Sequence, residues 1–402
     1  MIKFGIIKER KNPPDHRVVF SPEGLAKAVV KFPEASFLVE NSDIRGFKNE
    51  TYIDKGFEVS NDMSDCDVLL GVKEVPISAL ISNKKYFFFS HTIKKQPYNR
   101  DLLQAILDKQ IEFFDHETIV NQKGFRTIGF GHYAGIVGAY NGFRTLGLKN
   151  SNFELPKADT LLDQKALVSE LSKITVPAIK ILLTGKGRVG SGAKEILDAM
   201  DIREVSIEDY LYKTYDQPVY AQIDALDYNA RKDGKNLDLT DFYQHPEDYK
   251  STFMRFAKVT DFYIAGHFFG DGAPCIYTRE DARSKDFNIK VVADISCDID
   301  GPIASTIRSS TIEDPVYGYD PVTETEIDFM NPKAIAVMAV DNLPCELPRD
   351  ASEGFGEMFM KNVLPAFFNN DADGVLERAR MTKDGKLTER FAYLQDYVDG
   401  KE

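Results

Sequence analysis

The stretch KILLTGKGRVGSGAKE, residues 180–195, decides the fold. An apolar run breaks into glycines and then into a helix-like pattern, the order in which a strand-turn-helix unit meets a dinucleotide. Gly185, Gly187 and Gly190 make a G-x-G-x-x-G turn between that run and the helix pattern AKEILDAM. Here Gly185 allows the tight turn, Gly187 the close approach of a pyrophosphate, and Gly190 the packing of helix on strand. The helix N-terminus then offers unpaired N–H groups and a positive dipole end to the anion. An acid about 20 residues further on should bind the adenosine ribose. Asp209 stands 19 residues after Gly190, beside Glu208. An acid there repels a 2′-phosphate, so NAD is expected rather than NADP. Taken alone, both acids also read as solvated turn residues.

Outward from the turn, residues 1–130 alternate strand and helix patterns: IKFGIIKE, SPEGLAKAVVKF opened by Ser21 and Pro22, ASFLVEN, DVLLGVKEV, KKYFFFSHT, NRDLLQAILDKQ and IEFFDHETIV. Such alternation predicts a parallel sheet. GFGHYAGIVGAYNGFRTLGL follows, with Gly131, Ala134, Gly135, Gly138 and Ala139 at helical spacing, a face able to pack closely on a second helix or a cofactor. After AIKILLTG and the glycine turn, a second series runs through REVSIED, VTDFYIAGHFF, IKVVADISCD and AIAVMAVDNLP. The Tyr- and Asp-rich segment near 217–255 shows little periodicity and reads as an excursion.

The expected fold class is therefore α/β, with two Rossmann-like doubly wound domains. The NAD-binding domain, 133–345, is inserted into a discontinuous substrate domain of 1–132 and 346–402. The active site is expected in the cleft, which accounts for a nucleotide turn in mid-chain.

Composition narrows the partners. A formal charge of −13 argues against nucleic acid, because phosphate backbones are bound by clustered Lys and Arg. Cys66, Cys275, Cys297 and Cys345 lack zinc-type spacing, and no His pair supplies it, so no metal is expected. The start MIKFGIIKER lacks a signal-type apolar region, and no run approaches the ~18 apolar residues of a membrane span. These features predict a cytoplasmic protein without membrane contact. Homo-oligomerisation stays open.

Open α/β sheets place ligands at the carboxyl ends of their strands. Lys73 follows DVLLGV and His91 follows KKYFFFS, each where an apolar run ends and an ionisable group can be partly desolvated. Arg17, in PPDHRVVFSP, could clamp a carboxylate in bidentate fashion. Singly, each also reads as an ordinary surface or loop residue; the parallel placement of Lys73 and His91 after successive strands favours chemistry. His267, which ends a strand in IAGHFF, carries less weight.

GIIKERKNPPDHRVVFSP, LLGVKEVP, FFFSHTIKKQ, FRTIGFGHYAGIVGA, GKGRVGSGA, VVADISCDID and AVDNLPCELPRDAS occur in order from residue 5 to about 355. Together they resemble the alanine dehydrogenase and lysine-forming saccharopine dehydrogenase superfamily. GRVGSGA, HYAG and DNLPCELPRDAS look like the saccharopine branch. The resemblance implies Lys73 as the base for a secondary amine and His91 as the acid/base of imine hydrolysis. It implies Arg17, Gln96, Arg126 and Phe130 as contacts to a dicarboxylic amino-acid adduct. It implies Gly187, Arg188, Asp209, Asp298 and Leu343 as cofactor contacts beside Gly185 and Gly190. Phe125 departs from the pattern, replacing a basic cofactor contact, and the excursion is longer than in the fungal type. The implied substrates are an amino acid and a 2-oxo acid, with NAD. Alternatives are an alanine dehydrogenase, an opine-type enzyme joining a 2-oxo acid to another amine, and an NAD-binding regulator without chemistry.

Overall fold

The computed structural model describes residues 1–401. The chain divides into two compact units, Met1–Phe130 with the chain from Pro348 on, and Gly131–Leu347. Both are α/β, built on largely parallel sheets, as expected from the alternating patterns.

In the first unit the strands are β1 (Ile2–Ile6), β2 (Ala35–Glu40), β3 (Glu58–Ser60), β4 (Val68–Leu70), β5 (Lys85–Phe88) and β6 (Glu112–Asp115). They pair in the order β3-β2-β1-β4-β5-β6, all parallel. Side chains alternate between faces along a strand, and each face carries its own core. Phe4, Ile6, Val68, Leu70 and Phe87 pack on one side; Leu38, Leu69, Tyr86, Phe88 and Phe113 pack on the other. The helix Pro22–Lys31 begins where the sequence announces it, with the Ser21 hydroxyl accepting from the Gly24 N–H and Pro22 in the first turn. The helix Pro348–Asn362 brings Phe355 and Phe359 into the first of these cores.

In the second unit the strands are β7 (Lys180–Thr184), β8 (Arg203–Glu204), β9 (Val219–Ile223), β10 (Asn229–Arg231), β11 (Tyr249–Ser251), β12 (Phe262–Ala265), β13 (Val291–Asp294), β14 (Val316–Asp320), β15 (Thr325–Ile327) and β16 (Ile335–Met338). The main sheet runs β15-β14-β16-β13-β12-β7-β9-β8. It is parallel from β16 to β8, with β14 and β15 antiparallel at one edge. β10 and β11 form a separate antiparallel pair. Strands β12, β13 and β16 are buried throughout, as covering on both faces demands.

Two expectations are corrected here. REVSIED is not a core strand: only Arg203–Glu204 pair, at the sheet edge, and Ile207–Tyr212 is helical. The segment near 217–255 is not wholly an excursion, because it supplies β9, the direct neighbour of β7. VYAQI escaped notice because it is five residues long, interrupted by Gln222 and embedded in polar sequence.

The small-residue face of the helix Gly131–Asn150 lies on the helix Arg188–Ala199 that follows the glycine turn. A Cβ on Gly135 would stand 2.0 Å from the Val189 carbonyl oxygen, and one on Gly192 would stand 1.9 Å from that of His132. Only glycine at both places permits this approach. No described helix is long and apolar enough to cross a membrane.

Candidate active site

In the first unit the strand ends assemble a line of ionisable groups. Lys73 leaves β4 through Gly71 and Val72, and this short strap is held by the Glu9 carboxylate group. Its two oxygens accept the N–H groups of Val72 and Lys73 at 2.7 and 2.8 Å. From the opposite partner, the His116 ring nitrogen Nε2 donates to the Gly71 carbonyl at 2.9 Å. Burial, reinforced by the charge of Asp15, pushes the Glu9 carboxyl up to about 8. Burial also brings His116 down to about 4, so its imidazole is neutral near pH 7.

His91 takes a left-handed backbone, φ 55°, immediately after β5. Ser90 anchors the bend: its N–H and hydroxyl both reach Asp115, at 2.9 and 2.5 Å. The imidazole sits between two carboxylates, with Nε2 3.7 Å from Glu74 and Nδ1 3.7 Å from Glu117. At 3.7 Å both contacts are longer than hydrogen bonds. Glu117 is further paired with Arg126 at 3.2 Å. Burial opposes the charge on Glu117, yet His91, Arg126 and Lys94 bring its carboxyl down to about 2. Thus Glu74, His91, Glu117 and Arg126 form one connected line, which starts at the residue after Lys73.

Arg17 is only 3% exposed and its Nε–Nη2 edge meets Asp15 in bidentate fashion, at 3.0 and 2.6 Å. Its guanidinium lies 4.3 Å over the Phe130 ring, which stacks on Phe355 at 4.5 Å. That edge of Arg17 is therefore committed within the protein, while the Arg126 side chain is 44% exposed. Gln96 is exposed; its side chain accepts from the Tyr98 hydroxyl and its backbone carbonyl from the Tyr397 hydroxyl. Phe125 is 68% exposed.

The glycine turn of the second unit has the geometry its sequence implies. Gly185 adopts φ +93°, and a Cβ there would meet the Gly266 carbonyl oxygen at 2.3 Å. A Cβ on Gly190 would stand 2.0 Å from the Gly185 carbonyl oxygen, whereas one on Gly187 would meet nothing within 4 Å. The open side at Gly187, where the helix Arg188–Ala199 begins, fits a pyrophosphate. Arg188 is exposed at the first helical position.

Asp209 is not at the end of the strand beside β7. It lies in the short helix Ile207–Tyr212 after the edge strand β8, 2.9 Å from Lys213. The position that a ribose acid occupies in such folds, beyond the neighbouring strand, belongs to Asp224 after β9. Asp224 caps the turn Ala225–Asp227, and Asp227 pairs with Lys186 of the glycine turn at 3.7 Å. Asp298 is exposed in the loop after β13. That loop is organised by the fully buried Asp294, which accepts from Ser296, Cys297 and Thr306. Leu343 is 2% exposed and packs beside Gly138 in the core of the second unit.

Sequence reading singled out Lys73, His91 and the glycines, and did not single out Glu9, Glu74, Glu117 and Asp224, which the fold places beside them. Glu9 sits in the run KERK, which looks like a solvated surface. The signal available for Asp224 was its place after a short apolar run.

Fold and site define an α/β protein with a dinucleotide-type turn and a lysine–histidine pair at adjacent strand ends. The family described as Alanine dehydrogenase/PNT, N-terminal domain, matches residues 5–137. Alpha-aminoadipic semialdehyde synthase, mitochondrial, of Rattus norvegicus is 28% identical over 98% of this chain and 48% of its own length. Saccharopine dehydrogenase [NAD(+), L-lysine-forming] of Yarrowia lipolytica is 24% identical over 90% of this chain and 92% of its own. The solved structure of an L-alanine dehydrogenase superposes with a TM-score of 0.65 at 15% identity, covering 99% of each chain. The chain spans less than half the length of the semialdehyde synthases it matches. The resemblance drawn from the motifs, to the alanine dehydrogenase and saccharopine dehydrogenase superfamily, is borne out.

Proposed function

We propose that this chain is an NAD-dependent oxidoreductase acting on the C–N bond of an amino-acid adduct. The reaction we assign is saccharopine + NAD⁺ + H₂O to L-lysine + 2-oxoglutarate + NADH + H⁺, reversibly. One observation carries the reading: Lys73 and His91 follow the carboxyl ends of the paired parallel strands β4 and β5. An enzyme that forms and then hydrolyses an imine needs two separate proton-transfer groups, and this pair supplies them.

NAD⁺ held by the glycine turn would supply the acceptor for the hydride of the glutamyl α-carbon. Lys73 removes the amine proton in the same step, its strap fixed by Glu9. The imine then adds water, and His91 moves protons as the carbinolamine collapses. Glu117, ionised throughout the neutral range, and Glu74 favour the imidazolium that His91 becomes in that work. Arg126 meets a substrate carboxylate. Arg17 holds Phe130 from beneath and keeps that wall rigid. Gly185, Gly187, Arg188 and Gly190 would hold the cofactor's pyrophosphate, and Asp224 its adenosine ribose.

Lys73→Met is the direct test. Turnover should fall by about 10²–10⁴ while NADH still binds, measured by steady-state rates beside fluorescence titration. Loss of both would make Lys73 a structural residue and sink the assignment.

A further inference from the structure

The strand order of the second unit turns back at β7. From β7 the sheet extends through β9 and β8 on one side and through β12, β13 and β16 on the other. Ligands of open α/β sheets sit outside the carboxyl ends of the strands at such a point. Gly185 follows the end of β7, and His267 follows the end of β12. The two strand ends touch: a Cβ on Gly185 would lie 3.0 Å from the His267 Cα.

His267 is 7% exposed. Its Nδ1 faces the Thr184 hydroxyl at 3.4 Å, and Thr184 meets the Tyr263 hydroxyl at 3.0 Å. Its Nε2 is buried and meets no hydrogen-bond partner. Buried polar atoms in native proteins are nearly always paired, so an orphan beside a ligand crevice marks a place where the ligand completes the bonding. Asp294 is not the missing partner, since its oxygens already accept from Ser296, Cys297 and Thr306. Burial holds the imidazole down to about 4, with Asp294 pulling the other way, so the ring is neutral and carries one donor and one acceptor nitrogen.

We infer that His267 is a cofactor-binding residue whose Nε2 hydrogen-bonds the nicotinamide riboside half of NAD(H). The inference rests on the proposed cofactor. The half is assigned by the sheet: Asp224, beyond β9, marks the adenosine side, the glycine turn takes the pyrophosphate, and β12 lies across β7 from β9. Ribose hydroxyls and the carboxamide each offer a donor and an acceptor, so either tautomer of His267 is served.

The test is fluorescence titration of NADH against the wild-type chain, His267→Leu and His267→Gln, with 5′-ADP as a competitor that lacks the nicotinamide riboside. His267→Leu should raise the Kd for NADH about tenfold, the effect of one lost hydrogen bond. It should leave the Kd for ADP and the melting temperature of the ligand-free protein unchanged. His267→Gln, whose amide reaches the place of Nε2, should recover most of the NADH affinity. An unchanged Kd for NADH in His267→Leu, or equal weakening of NADH and ADP, would overturn the inference. A wild-type chain that does not bind NADH would overturn the cofactor reading itself, before any variant is made.

Discussion

Glu9 is the residue in which stability and chemistry meet most directly. It is buried, yet it holds the strap that presents Lys73, and its carboxyl titrates at about 8 rather than at its ordinary 4.5. Between those values the folded chain binds a proton that the unfolded chain has released, so this group's contribution is complete below 4.5 and is lost as pH rises through 8. Glu9→Gln removes that titration. Relative to the variant, wild-type stability should therefore fall as pH rises from 5 to 8, by up to about 1.4 kcal/mol per pH unit, in denaturant melts at each pH. Parallel curves for the two proteins would contradict it. Lys73 and His91 were legible because an ionisable residue directly after an apolar run is conspicuous. Glu9, Glu74 and Glu117 were not, because their burial arises from chain segments that meet only in the fold.

At the scale of the element, the glycine turn was read correctly and the strand beside it was not. The three glycines do different work, and substitution separates them. Gly190→Ala puts a methyl against the Gly185 carbonyl oxygen and should cost about 1–3 kcal/mol of stability together with nucleotide affinity. Gly187→Ala faces open space and should leave thermal melting within about 0.5 kcal/mol of wild type while weakening NADH. Equal melting losses in both would contradict the division of labour. The ribose acid we propose, Asp224, differs from the one expected by counting because of a strand that the sequence did not announce. Counting 19 positions from Gly190 reached Asp209, but the chain visits the edge strand β8 before returning to β9, and Asp224 follows β9 beside the turn. Asp224→Ala should thus relax the preference for NADH over NADPH, in paired Kd measurements, and Asp209→Ala should not. The reverse outcome would restore the original assignment.

For the whole molecule, alternating strand and helix patterns sufficed for the class of both units, because parallel sheets buried on two faces demand long apolar runs with helices between them. The C-terminal part was legible only in outline. EGFGEMFMKNVLPAFF is helical through Asn362, while GKLTERFAYLQDYV, which also carries a helical pattern, forms only a short strand, 3-10 turns and the helix Gln395–Val398. Its apolar residues Phe391, Leu394 and Tyr397 pack on the core of the first unit beside Leu102 and Ile106, so packing rather than helical propensity sets their conformation. Substrate choice lies at a finer level than either, since the same lysine–histidine pair serves any imine formed from an amine and a 2-oxo acid. The measurement that tests the central claim most directly is NADH oxidation with 2-oxoglutarate and L-lysine, run beside pyruvate and ammonia, with product masses recorded. Saccharopine from the first pair, abolished in Lys73→Met, is the predicted result; alanine from the second pair alone, or NADH bound without turnover on either, would contradict it.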